Sequence, residues 1–130
     1  MVLLDSNVLI EHLAGRLNLA PFVQSLGIDS CFVSSVTVYE ILNGAVRSQR
    51  SGEYDRVAEF LSSFPRIHFD DACAAETAKI RVELERKGMR IGPYDLMLAG
   101  TALAYDLTIV THNLQEFERV SGLRTEDWQR

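Results

Sequence analysis

The 130-residue sequence is short of the features that mark secreted, membrane-spanning and thiolate-metal proteins. It has two cysteines, Cys31 and Cys73, with no CxxC spacing, and its three histidines do not cluster. That excludes a disulfide scaffold and a structural zinc site. Both thiols read as reduced and buried in a cytoplasmic protein, with a single structural disulfide as the alternative. No long apolar run occurs. The uncharged stretch Leu17 to Ile28 is too short and too polar to span a bilayer. Asp5 and Glu11 precede the first arginine, Arg16, which is the wrong charge order for a signal peptide. There is no internal repeat, low-complexity tract or Pro/Ser-rich linker. Nor is there an excess of positive charge. Lys and Arg number 13 against 18 Asp and Glu, a net −5, which taken alone argues against a nucleic-acid binder. A carboxylate-built metal site, however, gathers negative charge in one place, and a bound cation then dominates the local field.

What is present suits one soluble domain over residues 1–130, with 47% apolar and 24% charged residues. A chain this long buries roughly two-thirds of the surface its unfolded form exposes. Val2-Leu3-Leu4 reads as a buried strand ended by turn-forming residues, with Ser6 or Asn7 capping a helix that Gly15 stops after Leu13. Leu19–Leu26 is a second helix with Pro21 in its first turn, and Cys31-Phe32-Val33 a second strand. In the helix Thr37–Ser48, Val38, Ile41, Leu42, Ala45 and Val46 form a core-facing stripe. A helix over Glu53–Ser62, a strand at Ile67-His68-Phe69 and a long helix over Asp71–Lys87 follow. Pro93 opens a helix to Tyr105. Leu107–Thr111 is the clearest strand, followed by a short helix over Leu114–Val120 and an edge strand within Leu123–Trp128. Strands alternating with helices predict an α/β fold, with a parallel sheet covered on both faces. Ligands in such sheets gather at the carboxyl ends of the strands.

Several polar residues fall near those ends. Asp5 follows the first strand and reads either as a helix cap or as a metal ligand. Asp95 stands in the first turn of a helix whose next ten residues, Leu96 to Tyr105, carry no charge. If buried with that helix it must be paired or bind a cation, since an isolated buried charge is very costly. Glu40 lies opposite the core stripe of its helix, in line with Asn43 and Arg47, a solvated face by periodicity. THNLQEF places Asn113 and Glu116 just past a strand, while His112 reads as a turn residue.

The segments LLDSNVLIE, SSVTVYEILNGA and IGPYDLMLAGTALAYDLTIVTHNLQEF, in this order across nearly the whole chain, closely resemble the PIN-domain family, in particular its small VapC-type toxins of toxin–antitoxin pairs. The resemblance implies a three-layer α/β/α domain with a small, mostly parallel central sheet. It implies a metal-dependent endoribonuclease hydrolysing phosphodiester bonds in structured RNA. Asp5, Glu40 and Asp95 match the family's acidic positions. Asn113 and Glu116 are the candidates for the fourth, with Asn7 and Thr111 orienting the ligands. Oxygen donors without Cys or His suit Mg²⁺ or Mn²⁺. The expected products carry a 5′-phosphate and a 3′-hydroxyl.

Arg47 and Arg50 are the first candidates for RNA contacts, and Lys87 and Arg90 the second. Tyr94 reads as either a base-stacking or a core residue. The resemblance also implies a homodimer and a cognate antitoxin lying in a groove of the N-terminal helices, for which Leu13, Leu17, Phe22 and Val23 are the candidate lining or else core. A haloacid-dehalogenase-like phosphatase would need an Asp where Asn7 stands, and a nucleotide-binding Rossmann domain a glycine-rich first turn, which DSNVLI lacks. The alternative is a catalytically silent PIN-fold binding or scaffold module, whose signature would be loss of Asp5, Glu40 and Asp95.

Overall fold

The computed structural model describes residues 1–128. The strands are β1 (Val2–Leu4), β2 (Cys31–Ser34), β3 (Arg66–Ile67), β4 (Thr108–Val110) and β5 (Thr125–Glu126). The helices are α1 (Ser6–Leu13), α2 (Ala20–Leu26), α3 (Ser35–Ser48), α4 (Glu53–Ser62), α5 (Asp71–Arg86), α6 (Pro93–Tyr105) and α7 (Leu114–Phe117). The strands form one five-stranded sheet in the order β3-β2-β1-β4-β5, and every described pairing is parallel. The chain steps outward from β1 to β2 and β3, then crosses back so that β4 pairs with the other side of β1. The order therefore reverses between β1 and β4, and the crevice beyond their carboxyl ends is where such sheets place ligands.

The inner strands β1, β2 and β4 are largely apolar because both of their faces are covered. Side chains alternate between those faces. Val2, Leu4, Cys31, Val33 and Val110 pack with Val8, Leu9, Ile41, Val57 and Leu61 of α1, α3 and α4. Leu3 and Ile109 pack with Ile80, Leu84, Leu98 and Phe117 of α5, α6 and α7. The result is the expected three-layer α/β/α arrangement.

Element boundaries differ from expectation in small, explicable ways. Asp5, rather than Ser6 or Asn7, is the N-cap of α1. Ser34 caps α3 through the Val36 amide, so that helix begins two residues early. The helix α7 ends at Phe117 because the chain then tightens, with Arg119 N–H donating to Glu116 O and Val120 N–H to Phe117 O. Leu17, Phe22 and Val23 pack against the core, and Phe22 stacks on Trp128 at 5.0 Å between ring centroids. Both cysteines are buried and unbridged.

The helix α6 is buried along Leu98, Ala99, Gly100, Thr101 and Ala102, as its uncharged sequence requires. Its contact with α5 is close. A Cβ at Gly100 would lie 1.9 Å from Thr77 Oγ1 and 2.9 Å from the Thr77 backbone nitrogen. Thr77 Oγ1 is itself held by donating to Cys73 O at 2.7 Å. Asp70 caps α5 by accepting from the Cys73 amide at 3.0 Å and also accepts from the Tyr105 hydroxyl, joining the start of α5 to the end of α6. Alanine in an exposed helix interior would gain about 1 kcal/mol over glycine. Here overpacking decides the sign, so Gly100→Ala is expected to destabilise the fold by about 1–3 kcal/mol in urea unfolding. Adding Thr77→Ala should recover part of that loss, because only the hydroxyl and methyl contacts are relieved.

Candidate active site

Strand β1 ends in the crevice, so the next residue is delivered to its floor. That residue is Asp5, only 3% exposed, with its backbone N–H donating to Val110 O at the end of β4. Its side chain both caps α1 and faces the crevice. Oδ1 accepts from the Ser6 amide at 2.7 Å, and Oδ2 accepts from Thr111 Oγ1 at 2.8 Å. The Thr111 hydroxyl, having donated its proton to Asp5, accepts from the Asn113 amide at 2.9 Å and from Asn7 Nδ2 at 3.4 Å. Asn7 Oδ1 in turn accepts from the His112 amide at 3.4 Å. Asn7 and Thr111 thus orient Asp5 and hold the strand ends together. Burial raises the Asp5 carboxyl above its ordinary pKa, and the bonds from Thr111 and Ser6 and the nearby His112 oppose that only in part.

Glu40 is half-buried rather than solvated. Helix α3 packs against α1 and α6 as well as α4, while Asn43 and Arg47, further along the same face, stay exposed. Burial raises the Glu40 pKa, the negative Asp5 raises it further, and a hydrogen bond with Ser6 opposes both. Ser6 therefore stands between Asp5 and Glu40. The sequence suggested only a cap role for it.

Asp95 enters from the first turn of α6, behind Pro93. It is pushed up from 3.8 to about 7, first by burial, then by a hydrogen bond with Glu116 and by the charges of Asp5, Glu116 and Glu40. Asn113 Nδ2 donates to Asp95 Oδ2 at 3.3 Å and to Glu116 Oε2 at 2.9 Å. Two acceptors fix the amide with its nitrogen toward the acids. In this orientation Asn113 braces two carboxylates and turns its nitrogen, not its oxygen, toward them.

Asp5, Glu40, Asp95 and Glu116 thus come together from four elements or their ends. Among the described residues none of them is ion-paired with Lys or Arg. No three described His, Cys, Asp or Glu side chains stand close enough to enclose an ion by themselves. The donor set is all oxygen, open on one side and electrostatically strained, which fits a hard divalent cation that keeps several of its waters.

The predicted basic residues divide. Arg50 is committed to Glu53 at 2.9 Å, and Lys87 to Glu83 at 2.9 Å. Arg47 is exposed at the end of α3 and forms no ion pair among the described residues. The Arg90 carbonyl accepts from Arg119 Nη1 at 2.7 Å.

Comparison with known proteins agrees with this geometry. A sequence family described as the PIN domain matches residues 2–123. The chain is 48% identical over 97 residues, 74% of each chain, to a tRNA(fMet)-specific endonuclease VapC of Shigella flexneri. It is 39% identical over 134 aligned positions to a protein of the same name from Salmonella typhimurium, covering 97% of this chain and 96% of that one. Its fold superposes with a TM-score of 0.88 and 29% identity on VapBC2 from Rickettsia felis, solved bound to a DNA fragment from their promoter, over 98% of this chain and 99% of that one.

The raised Asp95 pKa fixes a pH dependence. Between its ordinary 3.8 and about 7 the folded chain retains a proton that the unfolded chain has released. The Asp95 contribution to stability, measured in EDTA, should therefore be complete below about pH 4 and be lost as pH rises through about 7. The Asp5 and Glu40 shifts act in the same direction. Asp95→Asn should flatten this slope in thermal unfolding, and added Mg²⁺ should raise Tm more at pH 7.5 than at pH 5, because it binds the ionised form.

Proposed function

The chain belongs to the PIN-domain family, and from that premise we propose that it is a metal-dependent endoribonuclease acting as the toxin of a toxin–antitoxin pair. The observation that carries this is the set of carboxylates at the β1/β4 reversal, raised by burial and, for Glu40 and Asp95, by neighbouring acids, and not paired with Lys or Arg among the described residues, in a chain whose relatives are named as VapC endonucleases. The names of the relatives point to transfer RNA as the substrate, with cleavage in a loop whose bases are accessible.

Asp5, Asp95 and Glu116 would hold Mg²⁺ or Mn²⁺, with Glu40 completing the acidic rim. A divalent cation supplies a more acidic water and charge stabilisation at the scissile phosphate. The chain's own part is positional. Thr111 and Ser6 fix the Asp5 rotamer, and Asn113 spans Asp95 and Glu116 so that neither swings away. Glu40 and Glu116 accept hydrogen bonds from the attacking water and orient it. The water oxygen bonds to phosphorus, the bond from phosphorus to O3′ breaks, and the products carry a 5′-phosphate and a 3′-hydroxyl. Arg47, on the same helix as Glu40, is the side chain placed to meet a flanking phosphate.

The proposed antitoxin site is the groove of about 390 Å³ between α1, α3 and α4. Ile10, Leu13, Ile41 and Val57 give it apolar walls, and Glu40 and Arg50 line it as well. Of the residues expected there from sequence, Leu13 lies in this groove, while Leu17, Phe22 and Val23 do not line it. Such a groove takes an apolar helical segment whose bound length would also cover Glu40. We take the whole chain as one domain that works as a homodimer in the cytoplasm. Among the described residues no helix is long and apolar enough to cross a membrane.

Purified protein should cut a small number of bonds in total cellular RNA with Mg²⁺ or Mn²⁺, and none in EDTA. Asp5→Asn and Asp95→Asn variants of unchanged circular dichroism should lose at least ~100-fold in rate, the scale of removing an electrostatic catalytic group. Equal cleavage by wild type and variants would refute this assignment. Gly44, whose added Cβ meets nothing within 4 Å, opens onto the groove. Gly44→Trp should fill it and lose co-purification with the antitoxin while its circular dichroism is unchanged.

A further inference from the structure

Tyr39 and Tyr94 are left unexplained by the fold. Tyr39 is 55% exposed and Tyr94 37% exposed, and neither belongs to either core cluster. They come from different helices, α3 and α6, yet their ring centroids are 5.8 Å apart with planes inclined at 54°. Tyr39 immediately precedes Glu40, and Tyr94 immediately precedes Asp95. The Tyr94 phenol is raised first by its hydrogen bond with Tyr39 and also by the charge of Glu40, which places the pair beside the acidic rim. A lone exposed ring carries no information, but two exposed rings held together from separate helices and tilted to one another present faces to solvent in a way a closed stack does not.

We infer that Tyr39 and Tyr94 form a platform on which an unpaired RNA base stacks, next to the phosphodiester bond that is cut. This rests on the ribonuclease reading and adds to it a subsite for a base. The electrostatics of the chain give the reason such a subsite is needed. The net charge is −5, the crevice is acidic, and Arg50 and Lys87 are already paired with glutamates. Beside the bound cation, Arg47 is then the main side chain left to meet a phosphate near the rim, and a subsite for a base would add to it. Stacking is indifferent to charge and tolerant of sequence, because every base has a π-face. The platform also selects for single strands, since a base within a duplex has both faces covered. It therefore restricts cleavage to loops without reading a sequence.

The test uses the full-length protein and a short unstructured RNA carrying 2-aminopurine. Binding is followed by fluorescence with Ca²⁺ and with EDTA, and cleavage kinetics are measured with Mg²⁺. Wild type should quench the fluorescent base on binding. Tyr39→Leu/Tyr94→Leu should bind about 10-fold or more weakly without quenching, at low and at high salt alike. Its KM should rise while kcat is kept. Tyr39→Phe/Tyr94→Phe, which keeps the rings, should behave as wild type. Unchanged binding by the Leu variant overturns the platform alone. A loss of affinity that appears only together with a change in oligomeric state overturns it in favour of an interface between copies of the chain. Wild type that neither binds nor cuts any RNA overturns the ribonuclease reading, and the platform with it.

Discussion

The hydrogen bond from Thr111 Oγ1 to Asp5 Oδ2 closes the gap between the two strands at which the sheet order reverses. Asp5 sits at 3% exposure in a crevice that would otherwise split open, because parallel neighbours at a reversal point send their following helices to opposite faces. The backbone continues the same link, with Asp5 N–H on Val110 O and Thr111 N–H on Glu126 O. Everything polar in the crevice is referenced to this point. Asn7 reaches Thr111, Asn113 reaches Thr111 through its amide, and the Asn113 side chain carries the network on to Asp95 and Glu116.

That network is built against its own electrostatics. Burial raises Asp5, Glu40 and Asp95, and the neighbouring acids raise Glu40 and Asp95 further, so the folded chain would hold its site more comfortably neutral than charged. The hydrophobic faces on either side supply the stability that tolerates this, since buried apolar layers on both sides of a short sheet are the dominant favourable term. Strain of this kind concentrates at working sites, where a cation or substrate relieves it.

Much of this was legible in the sequence, and the failures have physical causes. Asp5 and Asp95 could be found because each interrupts an apolar segment, where an uncompensated carboxylate demands an explanation. Periodicity placed Glu40 on a solvated face, and Asn43 and Arg47 along that line are exposed; Glu40 itself is half-buried where α3 also packs against α1 and α6, a tertiary contact that a helix's own stripe does not report. The roles of Asn113 and Glu116 stayed open because they depend on which way an amide turns, and only the neighbouring acceptors decide that. Leu17, Phe22 and Val23 were ambiguous between groove and core for the same reason: an apolar residue in an amphipathic segment says that it is covered, and not by what. β1 was read with its observed bounds, β2 one residue short, and β3 and β4 one and two residues long, because ladder pairing and apolar pattern do not end together.

Asp5 is at once the cap of α1 and the innermost acid of the crevice. Asparagine caps a helix as well as aspartate does, through an Oδ1 that accepts from the Ser6 amide, and the backbone bond from residue 5 to Val110 O does not depend on the side chain. A single carboxyl-to-amide exchange therefore removes the charge while keeping the helix start and the strand junction. Activity and architecture are separable at this position by one mutational step in either direction. A gene duplicate can fall silent there without its product unfolding, persist as a folded binding protein, and be restored by reversion of the same codon.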